Sequence, residues 1–127
     1  FITFAVKTLL LSGKTDDAFK EALEIRDKYS SDPYMQYNIA SLFHTQGIRD
    51  TSEDLFNSLL GYLDSREDCL EFRRLRSGIH FHLGSIHLER NRRKEALFNF
   101  SWSLRYNLAH EKAAEMVRGL RTELGMD

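Results

Sequence analysis

The chain has 127 residues, 42% of them hydrophobic and 29% charged, and its 18 basic side chains against 19 acidic ones leave a formal net charge of −1. That balance sets up no long-range field toward nucleic acid or an anionic membrane, and a single cysteine, Cys69, excludes an internal disulfide framework. No apolar run approaches the roughly 20 residues of a membrane-spanning helix, and the start, Phe1 to Lys7, has neither an initiator methionine nor a signal-peptide layout; the sequence reads as a cytoplasmic piece of a longer protein.

Taken in order, Phe1, Phe4, Ala5 and Leu9, with Leu11 as a further candidate, form a helical stripe stopped by Gly13, a good left-handed cap. Thr15-Asp16-Asp17 then supplies capping oxygen and acidic charge for a second helix, with Ala18, Ala22, Leu23 and Ile25 inward until Tyr29-Ser30-Ser31. Asp32-Pro33 is the next start signal, since Asp accepts from the open amides of a first turn and Pro fits the first helical position. Ile39, Ala40 and Phe43 face inward from there to Gln46-Gly47. Thr51 to Asp54 is expected to cap the helix carrying Leu55, Phe56, Leu59, Leu60 and Leu63, and Ser65 to Asp68 to open the longest element. Residues 67–76 contain no Gly, Pro or Asn, and Phe72, Leu75, Ile79, Leu83 and Ile86 continue one stripe, which predicts a single helix from about Glu67 to Arg90. After a break at Asn91, Arg92 to Glu95 starts a helix ending near Asn107 with Ala96, Phe100 and Leu104 on one side. His110 to Leu124 carries Ala113, Ala114, Val117, Leu120 and Leu124 at helical spacing, with charged residues between.

These elements repeat. Leu83-Gly84, His87, Asn91, Ala96, Phe100 and Ser103 have the same internal spacing as Ile39-Ala40, Phe43, Gly47, Ser52, Phe56 and Leu59, and as Ala5-Val6, Leu9, Gly13, Ala18, Ala22 and Ile25. Ala18 to Ser52 is 34 residues and Ser52 to Ala96 is 44, so a 34-residue period is interrupted once by ten extra residues. A helix-turn-helix period of 34 resembles the tetratricopeptide repeat family. The likeness covers repeats at about 1–32, 33–66 and 77–110, with a helical insertion at 67–76 and a cap at 111–124. Departures are Ala22 where an aromatic is usual, Gln36 and His80 where a Trp is expected, and Pro33 as the only closing Pro. The resemblance implies an all-α, right-handed α-α superhelix, about three repeats and a C-terminal capping helix in one domain.

Nothing in the pattern points to catalysis. There is no Gly-rich phosphate loop, nucleophile elbow or zinc-ligand spacing, and the paired acids Asp16-Asp17 and Glu67-Asp68 are explained as helix starts. His80 and His82 point about 200° apart on a helix, while His80 and His87 are about 10 Å apart along its axis. Ring packing with one hydrogen bond is therefore favoured over a metal site, and no cofactor is expected. The basic residues Arg73, Arg74 and Arg76, and Arg90 to Lys94, lie among acids and read as a solvated, charge-paired face.

The resemblance implies a concave groove lined by the first helix of each repeat, binding a peptide or helix of a protein partner. Its matching positions are Thr3 and Lys7; Tyr34, Tyr37, Asn38, Ser41, His44 and Thr45; and Phe81, His82, Ser85 and Glu89. Rings with short polar neighbours suit a peptide, and Asn38 can pair with backbone amide and carbonyl. Asn38 matches the asparagine of the family's carboxylate-clamp members, but Gly78 and His82 stand where the clamp needs cations, which argues against a free C-terminal carboxylate. Outside the groove, Phe98 and Trp102 form an outer stripe, either a contact in a homodimer or with another domain of the parent chain, or a patch covered by the long helix or the cap. The main functional expectation is a non-catalytic protein-protein interaction scaffold with no nucleic-acid partner and no membrane insertion. Alternatives are an accessory or targeting segment of a larger enzyme, such as a bacterial glycosyltransferase, and, more weakly, RNA binding by helical repeats.

Overall fold

Turn geometry decides where the helices of this chain begin and end. The structure, a computed structural model, describes residues 4–28, 32–66 and 68–126, and all regular structure among them is helical. Phe1, Thr3, Tyr29, Ser30, Ser31 and Glu67, to which the sequence assigned stripe, groove or helix-end roles, lie outside the described residues. The helices are α1 Phe4–Leu11, α2 Thr15–Lys28, α3 Pro33–Thr45, α4 Arg49–Asp64, α5 Leu70–Glu89, α6 Arg93–Tyr106 and α7 Glu111–Glu123. None is long and apolar enough to cross a membrane.

Three of the connections are the same turn. Gly13, Gly47 and Asn91 take φ of +77°, +80° and +62°, the left-handed region that Gly enters without steric cost and Asn tolerates. At each, the next residue's amide reaches back five positions: Lys14 to Leu9 O at 2.9 Å, Ile48 to Phe43 O at 2.9 Å, and Arg92 to His87 O at 2.8 Å. The turn residue's own amide bonds three back, to Leu10, His44 and Leu88. This double bond closes the last carbonyls of a helix and turns the chain in one fixed direction. The following helices are then entered alike, with Ala18, Ser52 and Ala96 amides bonded to Lys14, Ile48 and Arg92 carbonyls and all three residues fully buried.

The chain packs as two compact units, Phe1–Tyr62 and Leu63–Asp127. In the first, α1 packs on α2 and both touch α3. Its core holds Val6, Leu10, Ala18, Ala22, Ile25, Ile39, Ala40, Phe43, Leu55, Phe56 and Leu59. Asp32 caps α3 by accepting from the Tyr34 and Met35 amides at 3.1 and 3.2 Å, with Pro33 in the first turn. α4 starts two residues earlier than its expected cap at Thr51. The Gly47 turn leads straight into the helix, with the Ser52 amide already bonded to Ile48 O, and Ser52 is buried inside it, donating its hydroxyl to Ala40 O at 2.9 Å and so tying α4 to α3.

In the second unit α5 packs along α6, and α6 along α7. Gly84 makes the first contact possible: a Cβ there would lie 2.8 Å from two ring carbons of Phe100, itself fully buried. Further along the crossing, Ser77 Oγ donates to Ser103 O at 2.7 Å and Ser103 Oγ to Ser77 O at 2.8 Å, a reciprocal pair in a dry interface. α7 adds Leu120 to Ala96, Leu97 and Phe100, with Met116, Val117 and Leu124 packed around them. Its charged residues Glu111, Lys112, Glu115, Arg118 and Arg121 stay exposed.

The start of α5 corrects the sequence reading. The helix begins at Leu70, not Glu67, and its N-cap, Cys69, makes no side-chain cap hydrogen bond. Asp68, expected to serve the helix start, instead takes Arg73 at 3.1 Å and Arg76 at 3.6 Å. Arg76 is not on a solvated face: it is buried and donates to Leu63 O at 2.7 Å, closing a carbonyl at the end of α4.

The Gly84 contact yields a paired test. Gly84→Ala should destabilise the second unit by about 1–3 kcal/mol, because Phe100 has no room to move away. Gly119→Ala, in α7 with nothing within 4 Å of the added carbon, should leave stability unchanged or raise it by up to about 1 kcal/mol. Urea unfolding of both variants checks this, and equal effects would remove the close approach as the reason for glycine at 84.

Candidate functional site

The residues expected to line a groove fall on two helix faces, one in each unit, with Lys7 exposed on α1. On α3, Tyr34, Tyr37, Asn38, Ser41 and His44 recur at three- and four-residue intervals and so share a stripe, opposite the buried Ile39, Ala40 and Phe43. Tyr34 is 47% exposed and Asn38 is exposed. Tyr37 is half-buried, its ring meeting Phe56 edge-on at 5.8 Å. That burial raises its phenol pKa above the ordinary 10.0, opposed by a side-chain hydrogen bond with Ser41. Tyr37 is thus a fixed floor, whereas Tyr34 and Asn38 have surface to offer a ligand.

The α5 stripe is more heavily committed. Phe81 lies between Phe100, at 5.3 Å between ring centroids, and His110, at 4.7 Å, and packs against the α6–α7 core. Ser85 donates to Phe81 O at 3.0 Å. His82 is half-buried and Glu89 exposed. Of the residues assigned to this face, Phe81 mainly holds α7 in place: His110, stacked upon it, is the N-cap of α7 and accepts from the Ala113 amide at 3.1 Å.

Phe98 and Trp102 present the second surface. Neither the long helix α5 nor the cap α7 covers Phe98, which is 61% exposed, while Trp102 is half-buried beside it with ring centroids 6.4 Å apart. Behind Trp102 is a cluster that the sequence did not reveal. His80, Trp102 and Tyr106 form a triangle of rings with centroid separations of 6.2, 5.8 and 5.7 Å. Arg105 lies over Trp102 at 4.8 Å, and Arg73 and Arg76 over Tyr106 at 5.4 and 5.9 Å. Such contacts are favourable because guanidinium meets the negative face of each ring. Tyr106, four residues beyond Trp102, was the available signal; the joining of His80 to it from another helix was not.

His80 is anchored by a 3.0 Å hydrogen bond between its Nδ1 and Asn99 Oδ1, and Asn99, buried, donates to Glu95 O. Burial pushes the imidazole pKa below its ordinary 6.5, opposed by Asn99 and by the charge of Asp64, and reinforced by Arg76. Burial thus favours the uncharged form of this packed ring. Among the described residues no group of three or more His, Cys, Asp or Glu is placed to hold a metal ion. Comparison with protein-family models and with curated proteins finds no match.

The lowered pKa of His80 predicts a pH dependence of definite sign. The unfolded chain takes up the proton at a higher pH than the folded one, so this group's contribution is complete above about pH 6.5 and is lost as pH falls through the lower folded value. Urea midpoints should drop between pH 7.5 and 5.5, and His80→Gln should show a flatter profile over that range. An unchanged slope in the variant would mean that other groups produce the loss.

Proposed function

We propose that the chain is a non-catalytic protein-interaction module of tetratricopeptide type: a right-handed α-α superhelix of about three helix-turn-helix repeats and a capping helix. Its concave face binds an extended segment or helix of a protein partner. The observation that carries this reading is the turn that recurs at Gly13, Gly47 and Asn91, spaced 34 and 44 residues apart with the same pair of hydrogen bonds each time. A chain that repeats one hairpin in this way buries each stripe against the next and leaves the outward faces of the first helices as a ladder for a ligand.

Within that ladder the α3 stripe is the best equipped. Tyr34 supplies a ring at low entropic cost, Asn38 supplies both a donor and an acceptor for a peptide backbone, and Tyr37 provides a rigid floor between them. In the second unit Phe81 is engaged in packing, so the α5 stripe is left with the polar His82, Ser85 and Glu89.

Peptides selected from a displayed random library against the intact chain test the reading. Tyr34→Ala and Asn38→Ala should each weaken their binding about tenfold or more, roughly 1.4 kcal/mol, and Phe98→Ala should leave it unchanged. Selected peptides that bind both α3 variants as tightly as the original chain would sink the groove assignment.

A further inference from the structure

The outer face of α6 carries two hollows that share Phe98 as their common wall. One, of about 360 Å³, is lined by Phe98, Ser101, Trp102 and Arg105. The other, of about 560 Å³, is lined by Lys94, Leu97, Phe98, Leu124 and Met126. The second is closed by the chain's last turn, where Gly125 at φ +68° and a 2.7 Å bond from the Met126 amide to Arg121 O fold Met126 back against the helices. An exposed phenylalanine standing between two apolar recesses is a surface left unburied by its own fold.

The charged residues that line the two hollows have one sign. Lys94 lines one hollow and Arg105 the other, both exposed, and neither is paired with a carboxylate among the described residues. Arg105 is held over Trp102, so its guanidinium edge is kept at the rim. The neighbouring Arg93 is already satisfied by Glu123 at 2.8 Å. Glu95, exposed on the first turn of α6, is in neither lining. Eleven residues of helix separate Lys94 from Arg105, about 16 Å at 1.5 Å per residue.

We propose that this face is a docking site, separate from the groove, for an acidic amphipathic helical segment of a partner protein. Two apolar side chains of the segment enter the hollows on either side of Phe98, and carboxylates about three turns apart meet Lys94 and Arg105. A second copy of this chain is the poorer occupant, because a two-fold contact would set the Lys94 and Arg105 cations against those of the other copy. Charge complementarity selects an acidic ligand.

Trp102 is the only tryptophan in the sequence and lines the first hollow, so its emission reports directly on occupancy. The experiment titrates the intact chain with a synthetic helix of about 18 residues bearing leucines on one face and glutamates 11 positions apart, and in parallel with the same peptide carrying lysines at those positions. The acidic peptide should shift the Trp102 emission and bind at least tenfold tighter than the basic one. The Lys94→Glu, Arg105→Glu double variant should reverse that preference, Phe98→Ala should weaken the acidic peptide about tenfold or more, and Tyr34→Ala should change nothing. Equal binding of the two peptides, or no response of Trp102 to either, would overturn the proposal. So would a doubled mass by light scattering that Phe98→Ala returns to the monomer, since a second copy would then be the occupant.

Discussion

The second unit depends on how closely α5 and α6 approach, and that is set by the absence of one carbon atom at Gly84. Phe100 fills the space where a side chain would stand, with ring carbons 2.8 Å from the missing Cβ. At that distance the interface is too tight for water, so the polar atoms inside it must satisfy each other. Ser77 and Ser103 do so reciprocally, each donating to the other's carbonyl. The same ring also meets Phe81, Phe81 meets His110, and His110 caps α7. One steric allowance thus leads, contact by contact, to the placement of the next helix.

The first unit solves the corresponding problem differently. Ala40 stands at the position matching Gly84, and Ser52 at the position matching Ala96. The crossing there combines a methyl group with a hydrogen bond from Ser52 to the Ala40 carbonyl, and Phe56, equivalent to Phe100, is again fully buried. Ser52 is thereby part of the helix interior, and α4 starts at Arg49, directly after the Gly47 turn. Small residues at a helix crossing can therefore be read for the space they leave, but their polar atoms also need partners.

Much of this arrangement was legible in the sequence because backbone requirements are local. Left-handed conformation at Gly13, Gly47 and Asn91, and the cap at Asp32-Pro33, follow from the residue itself and its immediate neighbours. The buried stripes of the later helices follow from periodicity, whereas on α1 Val6 and Leu10 are buried and the expected Phe4 and Ala5 are exposed. What could not be read are bonds between groups distant in sequence. Arg76 looks like any solvated arginine until Leu63 offers a carbonyl 13 residues away, and Asp68 looks like a helix cap until Arg73 and Arg76 claim it. Phe81 has the position of a groove residue, but a helix 30 residues further on decides that it is spent in packing. At the candidate surfaces, Tyr34, Asn38 and Phe98 could be named from pattern alone, whereas the ring cluster behind Trp102 required three dimensions.

That cluster determines what kind of surface the outer face can be. His80, held by Asn99, Tyr106 and Trp102 brace one another, and the guanidinium groups of Arg73 and Arg76 lie over the Tyr106 ring. The indole is consequently braced before any ligand arrives, so ordering it costs a partner little conformational entropy. Phe98 receives no such support beyond its edge contact with Trp102, and so keeps most of its area in water. A rigid aromatic wall beside an exposed ring, with cations at both ends, combines low ordering cost with surface that gains by being covered.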